Sequence, residues 1–229
     1  MSAPAQLVLT LPQRPALGRA DFLVAPCNET AVAWIDRWPD WPSTALALVG
    51  PPASGKSHLA EVWRGVSGAP AFVAAELDGD RLAERLGTAR TALLDDAAAV
   101  AGRPALEEGL LHLYNLLAER RGTLLLTAGL EPARWPLALP DLASRLATAT
   151  AARLGPPDDE LMAGLLIKLF ADRQLRPTQG AITYLVARME RTYAAARQLV
   201  EALDSRALAA GGGVTQATAR AVLESPTDP

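Results

Sequence analysis

A single cysteine, Cys27, in 229 residues leaves no partner for an internal disulfide, and only two histidines, His58 and His112, accompany it. These three side chains are too few for a cysteine–histidine zinc centre, so no protein-only metal site is expected and Cys27 reads as a small apolar residue. No run approaches the roughly 20 apolar residues of a membrane-spanning helix. The N-terminus lacks the basic start and long apolar core of a secretion signal. The expected address is therefore the cytoplasm, with no membrane partner. A basic excess is missing too: 22 Lys and Arg against 25 Asp and Glu give a formal charge of −3. Broad binding to duplex DNA normally needs a positive surface, so sequence-specific duplex binding is not expected.

Apolar residues, by contrast, make up 50% of the chain. That is enough for a packed core in one or two domains. Residues 1–20 combine an apolar alternation with Pro12, Pro15 and Gly18, the pattern of an extended arm. Asn28 can cap a helix from about Glu29 to Trp38, which Pro39 and Pro42 stop. From Thr44 the order strand, loop, helix repeats. The strands are TALALV, APAFVAA, TALL and TLLLTA, with a fifth near Ala147 to Leu154. Strands this short and continuously apolar, separated by helices, predict an α/β fold with a parallel sheet covered by helices on both sides. One intervening helix, about Ala105 to Arg121, sets Leu106, Leu110, Leu113 and Leu117 on one face, with His112 as a structural residue.

Gly155-Pro156-Pro157 marks the boundary, giving an α/β domain over 21–155 and an all-helical domain over 156–229. Asp158 and Asp159 can cap the first helix beyond it. Ile182, Leu185, Val186 and Met189 recur at helical spacing, as do Ala196, Leu199, Val200 and Leu203. Gly211-Gly212-Gly213 reads as a turn before a last short helix.

GPPASGKSHL, Gly50 to Leu59, contains the phosphate-loop pattern of two glycines with four residues between them, followed by Lys-Ser. Glycine lets backbone N–H groups wrap phosphate oxygens, and the following helix turns its positive end toward them. The nucleotide-binding set is Gly50, Pro51, Pro52, Ala53, Ser54, Gly55, Lys56, Ser57 and His58. Within it Lys56 reaches the β- and γ-phosphates and Ser57 offers a hydroxyl to Mg²⁺, while His58 lies on the helix surface without a catalytic role. ADP and ATP suit such a loop equally. At the end of the third strand, Asp95 can hold Mg²⁺, directly or through water, and Asp96 can orient an attacking water. Thr127, read as the end of the fourth strand in LLLTAG, either touches the γ-phosphate or that water, or caps its strand.

In order, GPPASGKSHL, LLDD, EEGLLHLYNLLAE, LLLTA and LPDLASRL resemble the AAA+ core of the DnaA-related bacterial initiator family, and among its members the short regulators of the Hda type. The resemblance runs from Gln6 to about Leu223. It implies an AAA+ P-loop core followed by a small helical lid. It also implies that Arg145, in LPDLASRL, acts as a finger on a neighbouring subunit's nucleotide, in a homo-oligomer or in the initiator itself. The family places a phosphate-contacting arginine at the start of a helix in the lid, where the matched residue here is Ala194. Arg191 and Arg197 lie to either side, and Arg191 is preferred because that helix should begin near it. FLVAPCNETAVAWI resembles the segment that wraps adenine, with Asn28 as a candidate and with Phe22 and Val24 either lining the base pocket or packing in the core. With the sequence ending at Pro229, the DNA-binding domain of the family's full-length initiators is not expected here.

QLVLTLP, Gln6 to Pro12, resembles the peptide by which bacterial proteins dock on the replication sliding clamp. Leu7, Leu9 and Leu11 alternate on one face, with Leu9 and Leu11 as anchors and Gln6 as the polar fixer. An ordinary edge strand is the competing reading. The resemblance thus implies a weak ATPase at most, docked on the clamp, meeting DNA only through it and stimulating ATP hydrolysis by DnaA. A helicase-loader or motor-adaptor ATPase is the alternative, and a small-molecule kinase a more distant one.

Overall fold

Five parallel strands form one sheet in the order β2-β3-β4-β1-β5 of a computed structural model that describes residues 22–77, 81–210 and 213–224. The elements run α1 (Glu29–Asp36), β1 (Ala45–Val49), α2 (Lys56–Ser67), β2 (Ala71–Val73), α3 (Arg81–Leu86), β3 (Thr91–Asp95) and α4 (Pro104–Glu119). Then follow β4 (Thr123–Ala128), α5 (Pro140–Ala147), β5 (Thr150–Arg153), α6 (Asp159–Asp172), α7 (Gln179–Val186), α8 (Tyr193–Ala210) and α9 (Gln216–Leu223). Every residue of β1 and β4 is buried, as continuous apolar strands at the centre of a covered parallel sheet must be.

Two compact units divide the described chain. Phe22 and Asn28–Gly155 form the α/β unit, whereas Leu23–Cys27 group with the residues from Pro156 onward. The α/β core gathers Ala47, Leu94, Leu124 and Leu126 from the sheet with Leu110, Leu113 and Leu117 from α4. In the second unit Met162, Phe170, Ile182, Leu185, Val200 and Leu203 close an all-helical core.

Local chemistry sets the helix ends. Asp158 accepts from the Leu161 amide to cap α6, and Thr178 and Thr215 cap α7 and α9 likewise. Proline opens α4 and α5, where its missing N–H costs nothing. Three expectations shift. The second strand stops at Val73 because the Val73 amide donates to the Glu76 carboxylate and the chain turns into a 3₁₀ helix over Ala74–Glu76. α1 ends at Asp36, and Asn28 sits at its N-cap without a side-chain capping bond. His112 is exposed on α4. Residues 1–21, which include QLVLTLP, and Gly211 and Gly212 lie outside the described residues. Among the described residues no helix is long and apolar enough to cross a membrane.

Candidate nucleotide site and arginine helix

Parallel register brings the C-terminal ends of β1, β3 and β4 together. Leu48 lies beside Thr127, and Leu94 beside Leu126, so Asp95 follows next to Thr127. Ligand sites of open α/β sheets form at this edge. The chain leaves β1 at Gly50, whose amide donates to the Ala128 carbonyl at 3.2 Å. A Cβ at Gly50 would stand 2.3 Å from the Leu154 carbonyl oxygen, so only glycine lets the loop start against β5. Ala53 and Gly55 both take positive φ, 60° and 92°. Left-handed residues alternating with ordinary ones turn successive N–H groups to one side, the geometry that receives an anion.

Lys56 opens α2 and donates its ammonium to the carbonyls of Gly50 at 2.9 Å and Pro51 at 2.7 Å. Burial lowers its pKa, and the charges of Asp95 and Asp96 act in the opposite direction. The Ser54 hydroxyl, in a residue 4% exposed, has no hydrogen-bond partner in the loop. Pro51, Pro52, Ala53, Ser57 and His58 are exposed, and the His58 ring meets Phe22 edge-on at 5.2 Å. Ser57 donates to Asp95 Oδ1 at 3.3 Å. An ordered loop, an unspent buried hydroxyl, an ammonium and a Ser–Asp pair fit a nucleotide's phosphates and their Mg²⁺.

Thr127 is 2% exposed and both of its hydrogen-bonding roles are used. It donates to Asp95 Oδ1 at 2.5 Å and accepts the Asp96 amide at 2.9 Å. Its hydroxyl thereby holds the Asp95 carboxylate and the backbone of Asp96, which is exposed in the left-handed region at φ 50°. Thr127→Val strands the Asp96 N–H and removes a donor from Asp95. The expected loss is about 1–3 kcal/mol of stability, read as a lower urea midpoint at unchanged slope.

Arg145 lies in the last turn of α5. Its Nε donates to Asp141 at 3.3 Å, and its guanidinium centre sits 5.7 Å from the Tyr114 ring centroid. The side chain remains 38% exposed. In the helical unit Arg191 pairs with Asp159 at 2.5 Å and donates to the Pro157 carbonyl. α8 starts after it, at Tyr193, because the Thr192 hydroxyl caps the Ala195 amide. Ala194 and Arg197 are exposed on its first turns, and Val24 is half-buried in the same unit.

Glu107 was absent from the sequence-derived candidates, although it lies on the apolar face of α4, three residues before Leu110. Among the described residues it is the only charged side chain that is buried, at 0% exposure. Its carboxylate accepts the amides of Gly102, Ala138 and Leu139 at 2.8, 2.9 and 2.8 Å. Burial alone would raise its pKa, but the amides of Leu139, Ala138 and Gly102 outweigh that and hold it below the usual carboxylate value. A depressed pKa contributes stability that is fully present above the unfolded-state pKa and is lost as pH falls through the folded one. The stability gap between wild type and Glu107→Gln is therefore expected to narrow as pH drops from 6 toward 3, measured by urea unfolding across that range.

The order β2-β3-β4-β1-β5, the glycine loop after β1 and the acid ending β3 together make a parallel α/β fold with a phosphate-loop pattern at its C-terminal edge. Over 223 residues the chain is 27% identical to the chromosomal replication initiator protein DnaA of Caulobacter vibrioides (strain NA1000 / CB15N), an overlap of 86% of this chain and 45% of that protein. It thus spans less than half the length of the curated relatives it matches. Domain III of the Thermotoga maritima replication initiation protein DnaA superposes with a TM-score of 0.73 at 17% identity, covering 91% of this chain and 96% of that one. AMPPCP-bound DnaA from Aquifex aeolicus gives 0.67 at 15% identity, over 88% and 67%. No protein-family model matches the chain. The chain accordingly carries a DnaA-like AAA+ fold with sequence similarity to replication initiators.

Proposed function

We propose that this chain is a cytoplasmic, nucleotide-holding regulator that docks on the replication sliding clamp and presents Arg145 to the ATP of a DnaA-type initiator. The observation that carries the reading is the pairing, within one α/β unit, of an ordered phosphate loop with an arginine that is steadied but not consumed. The Arg145–Asp141 pair is four residues apart on one helix and partly exposed, a type worth about 0.3–0.5 kcal/mol. It is readily exchanged for a phosphoryl oxygen, where an arginine supplied in trans stabilises the charge of the transition state.

The chain's own loop takes ADP or ATP through Gly50–Ser57, with Ser57 and Asp95 toward Mg²⁺ and Asp96 and Thr127 behind them. Its own turnover is slow, because Ala194 brings no cation at the position the family fills with arginine. Gln6, Leu7, Leu9 and Leu11 supply the clamp contact, and DNA is met through the clamp. The test is binding of the full chain to the sliding clamp of its own organism, beside a Gln6→Ala, Leu9→Ala variant. Binding that the variant loses supports the docking, and equal binding by both removes QLVLTLP from the account.

A further inference from the structure

α4 meets the Arg145-bearing helix at two places, two turns apart. At the first, Glu107 accepts the amides of Ala138 and Leu139. Leu139 is the N-cap of α5, and its carbonyl accepts the Ala143 amide, so this carboxylate fixes the residue from which α5 starts. At the second, the Tyr114 ring backs the Arg145 guanidinium. The same Glu107 carboxylate also accepts the Gly102 amide, at the far end of the segment that begins with Asp96.

Leu142 and Leu146 seat α5 in the core, but apolar contacts carry little direction. Hydrogen bonds to a buried charge do carry it, and leaving any of them unmade is costly, so they specify one arrangement. α5 is eight residues long with Arg145 in its last turn. A shift of its start by about 1 Å would carry the guanidinium out of register with a phosphoryl group, a displacement that can cost about a hundredfold in rate.

We propose that Glu107 is a positioning residue for Arg145, setting α5 and tying it to the segment that follows Asp95 and Asp96. This rests on the reading of Arg145 as a finger acting in trans. The test compares wild type, Glu107→Gln, Arg145→Ala and the double variant, each as the full chain. Amide exchange at Ala138 and Leu139 is expected to quicken at least about tenfold in Glu107→Gln and to stay slow in Arg145→Ala. ADP affinity should remain within about twofold of wild type in both. Stimulated ATP turnover by the initiator should fall at least about tenfold in Glu107→Gln, and the double variant should be no worse than Arg145→Ala alone.

Should the Gln variant fail to fold, Glu107→Asp, which keeps the charge but is one methylene short of bridging both segments, is read in the same way. Wild-type turnover by either variant, or exchange unchanged at Ala138 and Leu139, overturns the positioning role. A wild-type chain that leaves the initiator unstimulated overturns the trans reading instead, which separates the two failures.

Discussion

Lys56→Ala is expected to weaken binding of ATP and ADP by about a hundredfold, close to 3 kcal/mol, in calorimetric titration. The ammonium donates to the carbonyls of Gly50 and Pro51 within the loop, at 2.9 and 2.7 Å. Its burial lowers its pKa, and the nearby Asp95 and Asp96 oppose that shift, an arrangement in which an anion's charge is felt strongly. The folded chain itself gains little from the side chain, so the nucleotide-free melting temperature should move by only about 2–4 °C or less. Unchanged affinity in the variant would mean that the loop does not hold phosphates.

Arg145→Ala should leave ADP and ATP affinity intact while reducing stimulated hydrolysis by the initiator about a thousandfold. Loss of its exposed partner Asp141 and of the Tyr114 contact removes roughly 1 kcal/mol or less, so the variant stays folded. Arg145→Lys should not restore the rate, since an ammonium cannot reproduce the planar fork that grips two phosphoryl oxygens. Single-turnover measurements with labelled ATP on the initiator distinguish these outcomes. A rate equal to wild type in Arg145→Ala would move the trans contact elsewhere on the chain.

The phosphate loop was legible because its chemistry is local. Glycines, Lys56 and Ser57 fall within eight consecutive residues, and the strand before them and helix after them follow from apolar patterning. Asp95 and Thr127 are each visible at or next to a strand end, yet their hydrogen bond depends on the register of β3 against β4, which neither strand encodes alone. In that register the Thr127 hydroxyl donates to Asp95 and accepts the Asp96 amide. Glu107 escaped because two of its three amide partners lie 31 and 32 residues away. A glutamate on the leucine face of a helix was the available signal. The helix expected to begin near Arg191 starts at Tyr193, where the Thr192 hydroxyl caps the Ala195 amide. The amphipathic spacing of α7 and α8 needed no long-range information, and its predicted faces form the helical core.

The most direct test of the account is ATP turnover by the initiator of the same organism, with clamp-loaded DNA, in the presence and absence of the ADP-loaded wild-type chain. Initiator turnover is expected to rise at least about tenfold with the chain, and the rise to disappear when the clamp is omitted. Turnover that is the same with and without the chain would contradict it.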